Sequence, residues 1–334
     1  MSLAEETYLG IDIGGTKTNI GLVDAKGTVL TQKKTATSIK SGPQWAEENI
    51  QSIIEDTKEV VATLSDNQQI RSIGIGVPGT VNWDLGKVVF APNLHWRNIP
   101  IRDIFASVFG VPVFVGQDTQ AAAWGEFLYG AGQGLQDIAC ITIGTGIGCG
   151  LVISGHLYRG HFGTAGEIGH TVVEKEGLPC NCGRNGCMEV YASGTAILNR
   201  FKVAVEAGQK TSILEHRQLD ELTTFDIFAG AEAHDLLAQE IIGSAVEYLS
   251  MALTNLINLF GPEAVILSGG IGEQRALYVE PLIQRTYARI YSILVDKIKI
   301  TPAKLGANAP LIGAAMLFRD APHQGNKGKG DLSC

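Results

Sequence analysis

The chain has 334 residues, 45% hydrophobic and 18% charged, with 41 glycines and a net charge of −8. That length suits two domains, and the composition is that of a folded globular protein rather than a disordered or fibrous one. The acidic balance, with no clustered basic patch, argues against a nucleic-acid partner. No apolar run of transmembrane length and no basic-then-apolar leader is read, so no membrane partner and a cytoplasmic location are expected.

Taken in order, T-Y-L-G-I-D-I (7–13) reads as a buried strand. The glycine turn G-G-T-K leads to a second strand at 19–24, and Ala25-Lys26-Gly27 turns into a third at 28–34. Apolar Trp45, Ile50, Ile53, Ile54, Val60, Val61 and Leu64 recur at helical spacing over 44–64. Strands follow at 71–77 and 111–115, then a helix at about 119–129. The second half repeats the grammar: strands at 137–143 and 148–153 bracket G-T-G-I-G (144–148). Helices are expected at about 192–207 and 236–260, a strand at 264–270, a helix at 278–291, a strand at 297–301 and a last helix at 313–318. The tail, 323–334, is expected to be disordered.

The strand–glycine turn–strand unit at 7–24 thus recurs at 137–153. Two similar α/β halves would face each other across one cleft, where α/β proteins bind ligands beyond their strand ends. In D-I-G-G-T-K (12–17), Gly14 and Gly15 let backbone N–H groups approach an anion, and Thr16 and Lys17 add donors. Asp12 would then hold hydrated Mg²⁺ rather than phosphate; an ordinary hairpin with a capping Asp is the plainer alternative. Gly144, Thr145 and Gly146 repeat the physics and pair with the first loop as a second phosphate clamp. L-S-G-G-I-G-E ends a buried strand in the bare backbone of Gly269 and Gly270, where a flat base or ribose could pack.

His170, Cys180, Cys182 and Cys187 form H-x9-C-x-C-x4-C. Three thiolates and one imidazole suit tetrahedral Zn²⁺, and four protein ligands leave no open position, so the metal would be structural. Glu167 and Glu189 flank this knot. Either they are surface acids, or the knot holds them rigid as a pair able to recognise the hydroxyls of a polyol. Asp118 stands alone where a strand gives way to a helix, between Gln117 and Gln120. In A-P-N-L-H-W, His95 and Trp96 invite a sugar-stacking reading, with a turn-anchoring tryptophan as the alternative.

D-I-G-G-T-K, G-V-P-G (76–79), A-P-N-L-x-W, G-T-G-I-G, A-G-E-I-G-H, C-x-C-G-x-x-G-C-x-E and S-G-G-I-G occur in that order. Together they resemble the ROK family of bacterial sugar kinases and repressors, over about residues 7–318. The resemblance implies a two-domain α/β actin/hexokinase-like fold, a duplicated ribonuclease H-like unit with a central cleft. The small domain would be 1–116 plus 310–322, and the large domain, with the zinc site, 117–309.

It also implies ATP-dependent phosphorylation of a hexose hydroxyl with Mg²⁺. Asp118 matches the general base, and Gly79, Gln117, Glu167, His170 and Glu189 match sugar-site positions, His170 doubling as a metal ligand. Asp12, Gly14, Gly15, Thr16 and Lys17 match the first phosphate loop, Gly144, Thr145 and Gly146 the second, and Gly269 and Gly270 the adenosine region. Glucose is the default acceptor. The alternatives are N-acetylhexosamine, mannose, fructose, allose or a cyclitol, with ATP or polyphosphate as donor. The partners implied are a small sugar and ATP, and the family commonly forms homodimers or homotetramers. Where this family usually reads N-D-A-N, this chain has Gln117 and Gln120, which puts substrate choice in question. The family's repressors carry a DNA-binding domain ahead of the kinase-like part; with the first phosphate loop beginning at residue 12, the expectation here is the enzyme.

Overall fold

The first apolar run becomes β1 (Glu5–Ile13), with Leu9, Ile11 and Ile13 fully buried. It pairs antiparallel with β2 (Lys17–Asp24), which pairs with β3 (Val29–Ala36). Helix α1 (Trp45–Val61) buries Trp45, Ile50, Ile53, Ile54, Thr57 and Val60, the three-to-four spacing read from the sequence. β4 (Gln68–Val77) runs parallel to β1. A small antiparallel sheet follows, made of β5 (Thr80–Asn82), β6 (Lys87–Ala91) and β7 (Trp96–Ile99). After α2 (Ile101–Phe109), β8 (Val113–Gln117) adds parallel to β4 and runs straight into α3 (Asp118–Tyr129).

The second set comprises β9 (Ile138–Ile143), β10 (Ile147–Ile153) and β11 (His156–Leu157). The helices α4 (Glu189–Ala192), α5 (Gly194–Glu206), α6 (Thr224–Glu232) and α7 (Leu236–Phe260) come next. The chain then forms β12 (Ala264–Ser268), α8 (Glu280–Tyr287), β13 (Lys299–Pro302) and α9 (Ala309–Ala315). The first sheet is ordered β3-β2-β1-β4-β8 and the second β11-β10-β9-β12-β13. The order is the same, strand for strand, so the repeat seen in the sequence is a repeat of topology.

This computed structural model describes residues 5–37, 45–215 and 217–320. The chain divides into two units: Met1–Ile138 with Gly150–Gly166 and Lys304–Cys334, and Ala139–Cys149 with Glu167–Ala303. This grouping differs from a division at 116/117, because α3 stays with the first sheet. Helix α9 lies against both. An added Cβ on Gly74 of β4 would fall 1.7 Å from the Ala314 carbonyl oxygen, and one on Gly313 would fall 1.7 Å from that of Ala121 in α3. Trp124 Nε1 donates to the Met316 carbonyl at 2.9 Å. The buried Glu126 carboxylate accepts from the N–H groups of Ala131, Lys304 and Leu305, binding the returning chain to the end of α3.

Several expected elements move. The last helix begins at Ala309 rather than 313, since Pro310 in its first turn is preset for a helix start. β12 stops at Ser268 because Gly269 turns to φ +88°. The helix expected at 278–291 is a π turn, Arg275–Val279, followed by α8. The absence of an apolar run of transmembrane length needs correction: α7, 25 residues long, passes that test by length and composition, yet 56% of its most apolar window is buried in the fold, as in a core helix. The tail at 323–334 lies outside the described residues.

Gly74→Ala should cost about 1–3 kcal/mol or more by forcing α9 off the sheet. Gly243→Ala, in α7 with nothing within 4 Å of its added Cβ, should instead gain about 0.5–1 kcal/mol of helix propensity. Thermal melts of the two variants check the pair; equal Tm values would show that α9 does not need the glycine.

Candidate active site

In the first unit the candidate residues gather past the carboxyl ends of three adjacent parallel strands. β1 ends at Ile13, β4 at Val77 and β8 at Gln117. Beyond these lie the Gly14–Lys17 turn, Gly79 and Asp118, the position where open parallel sheets bind ligands. The Gly14 N–H donates to the Lys17 carbonyl at 2.9 Å, closing the hairpin and leaving Thr16 and Lys17 exposed. Gly79 sits at φ +93°, where an added Cβ would be 2.3 Å from the Phe90 carbonyl oxygen. Across the sheet Asp12 is in register with Gly76, and Gly76 with Gly116. Bare backbone there lets α3 start close by: a Cβ on Gly76 would lie 3.5 Å from the Asp118 Cα.

Asp118 opens α3, so its carboxylate stands in the positive end of the helix dipole, and its Oδ1 accepts from the Thr119 N–H at 2.8 Å. Asp12 is pushed up from the usual carboxylate range to about 7, first by burial and then by the nearby Asp118. A carboxylate whose ionisation is disfavoured by burial and by a neighbouring acid is a donor that fits a divalent cation. The two amides separate. Gln117 is the buried N-cap residue of α3. Gln120 is also buried, but its Nε2 donates to the Gly163 carbonyl at 3.3 Å, so it braces a loop of the same unit. Trp96 is fully buried and His95 caps a short helical turn in left-handed conformation. The sugar-stacking reading of Trp96 therefore gives way to the anchoring one.

In the second unit the glycine loop follows β9, and Gly269 and Gly270 follow β12, its sheet neighbour. Glu189, the first residue of α4, accepts from the Ile147 N–H at 2.8 Å, and a Cβ on Gly146 would lie 2.5 Å from its Oε2. The acid read from the sequence as a polyol contact is thus also the brace of the glycine loop. A second support comes from α5, capped by Ser193: the Gly194 N–H donates to the Gly144 carbonyl at 2.8 Å. Nothing in the glycine pattern announces either contact, because each joins segments more than 40 residues apart.

The ligating atoms of His170, Cys180, Cys182 and Cys187 all lie within 4.8 Å of one another. Cys182 and Cys187 Sγ are 3.6 Å apart, and Cys180 Sγ is 3.7 Å from His170 Nδ1. Ligands about 2.3 Å (S) and 2.1 Å (N) from a common tetrahedral centre would be separated by roughly 3.5–3.8 Å. Two of the pairs have that spacing, and the full set, within 4.8 Å, could close on one zinc-sized ion with small side-chain shifts. With Nδ1 turned to the cluster, His170 Nε2 faces Glu167 Oε2 at 4.0 Å, near but beyond hydrogen-bond distance. No described cysteine is in a disulfide.

The model of the ROK family matches residues 8–321. The chain belongs to the ROK family. It is 35% identical over 318 residues to a glucokinase of Streptomyces coelicolor, covering 93% of this chain and 97% of that one. It is 32% identical to the xylose repressor of Bacillus subtilis, over 93% of this chain and 77% of the repressor. Among solved structures, a ROK glucokinase from Streptomyces griseus in complex with glucose and AMPPNP superposes with a TM-score of 0.81 at 35% identity, covering 93% and 98% of the two chains. The fold is accordingly the α/β actin/hexokinase-like fold of ROK sugar kinases.

The folded state holds a proton on Asp12 that the unfolded chain releases between about pH 4 and 7. Stability contributed by that proton is lost as pH rises through this window. Asp12→Asn should therefore stabilise the ligand-free protein at pH 8, by on the order of 1–4 kcal/mol, and hardly at all at about pH 3, below both pKa values. Melts at the two pH values test this; a gain independent of pH would remove the ionisation argument.

Proposed function

We propose that the protein is an ATP-dependent hexokinase whose acceptor is the 6-hydroxyl of glucose. One observation carries the reading: Asp118 opens α3 at the carboxyl end of β8, within electrostatic reach of Asp12. Asp118 accepts the hydroxyl proton as the sugar oxygen bonds to the γ-phosphorus of ATP and the bond to the β,γ-bridging oxygen breaks, releasing ADP. Such transfers are achieved mainly by positioning and charge stabilisation. Gln117, Glu167, His170, Glu189 and the Gly79 backbone bind the remaining hydroxyls. Gly14, Gly15, Thr16 and Lys17, with Gly144, Thr145 and Gly146, direct N–H and side-chain donors at phosphate oxygens. Asp12 would hold Mg²⁺, which offsets phosphate charge. The relatives' glucokinase names and this set of donors support an enzyme over a sugar-responsive regulator, the second activity found among its relatives.

Asp118→Asn keeps the shape and loses the base. It should lower kcat by two or more orders of magnitude while glucose still binds. A coupled ADP-release assay across glucose, mannose, fructose, allose, an N-acetylhexosamine and a cyclitol, with ATP or polyphosphate, checks both donor and acceptor. Sugar-dependent ADP release that survives in Asp118→Asn would overturn the role of the base, and no release with any sugar would overturn the kinase.

We further propose that His170, Cys180, Cys182 and Cys187 hold one structural zinc that fixes His170 and, through Cys187, Glu189. Elemental analysis should find about one zinc per chain in the purified protein. Cys180→Ser should lose it and raise the KM for sugar more than that for ATP. Full activity without metal would count against this arrangement.

A further inference from the structure

Phe225 is left 56% exposed in the first turn of α6, behind Thr223, its N-cap. Most large apolar side chains at such positions are incidental; this one is built in. Ile227 and Phe228, two and three residues further on, are buried, and Phe228 meets Tyr278 edge-on, so the helix is fixed from beneath. Thr223 and Asp226 form a reciprocal capping box at its start. Thr224 Oγ1 donates to the Gly194 carbonyl at 2.8 Å, and the Gly194 N–H donates to the Gly144 carbonyl at 2.8 Å. Two hydrogen bonds therefore tie the phenylalanine's helical turn to the second glycine loop. On another side, the ring's Cζ lies 3.6 Å from the point where a Cβ on Gly270 would stand. A solvent-facing aromatic ring, a bare glycine backbone beside it and a loop of the kind that receives phosphate occur on one hydrogen-bonded surface within one unit.

We infer that Phe225 is the stacking platform for the base of the nucleotide, with Gly270 leaving the room that the base and ribose occupy and Thr224 acting as a positioning residue. The inference rests on the proposed use of ATP, and it adds the residue that grips the adenine. Stacking on an aromatic ring needs only a flat π-face, and losing it weakens binding by roughly 5- to 100-fold per base.

Titration calorimetry of the intact protein with ADP and with pyrophosphate, which lacks the base, separates the possibilities. Phe225→Ala should raise the Kd for ADP by roughly 5- to 100-fold and leave that for pyrophosphate unchanged. Phe225→Trp should restore ADP binding, with indole fluorescence quenched by ADP and not by pyrophosphate. Unchanged ADP binding in Phe225→Ala, or an equal loss for ADP and pyrophosphate, overturns the platform while leaving the kinase reading standing. A wild-type protein that binds neither ADP nor ATP overturns the kinase reading and the platform with it.

Discussion

The first unit depends on backbone meeting backbone. Helix α9 touches β4 through Gly74 and α3 through Gly313, at separations no side chain permits. Protein interiors are close-packed, so an element seated this tightly has one position and transmits it to its neighbours. Here the neighbour is α3, whose first residue is Asp118. The seat of the helix that carries the proposed base thus depends on two glycines outside the proposed site. Trp124 and Glu126 add polar ties on the same helix, so α3 is held along its length rather than at one point.

Against that rigid frame stands an electrostatic cost. Asp12 and Asp118 share a partly dry corner at the sheet's end, and burial holds the Asp12 carboxyl near neutral pH. Folding alone would favour apolar residues there. Functional sites commonly retain groups whose environment disfavours their charge, and the disfavoured charge is what a cation relieves.

Local chemistry was the legible part. Glycine turns between strands, the H-x9-C-x-C-x4-C spacing and the helical stripe over 45–60 are short-range signals, and the structure places each in the expected element. The duplicated halves were readable for the same reason, and the two sheets repeat one strand order. Long-range contacts were not readable. Gln120 read as a departure from the family pattern bearing on substrate choice, yet its amide donates to the Gly163 carbonyl, 43 residues away. Glu189 read as a surface acid or a polyol contact, and neither reading contained its acceptance from the Ile147 N–H. The strands β5 to β7 carry three to five residues each, too few for a periodic pattern to emerge. α6 could have been found, since Thr223 and Asp226 spell a helix start.

The first unit is assembled from three separate stretches, the last beginning at Lys304. During synthesis its N-terminal sheet is made first and its covering helix α9 only after the whole of the second unit has emerged. Contacts spanning such sequence separations form slowly, because the loop must close before it is rewarded. Until α9 arrives, the face of β1 and β4 that it covers is bare apolar surface, the kind that invites aggregation or a chaperone. The late seating of α9 also means that the helix bearing Asp118 is locked only after the second unit has been made, so a chain interrupted before residue 309 leaves its proposed base without a fixed seat.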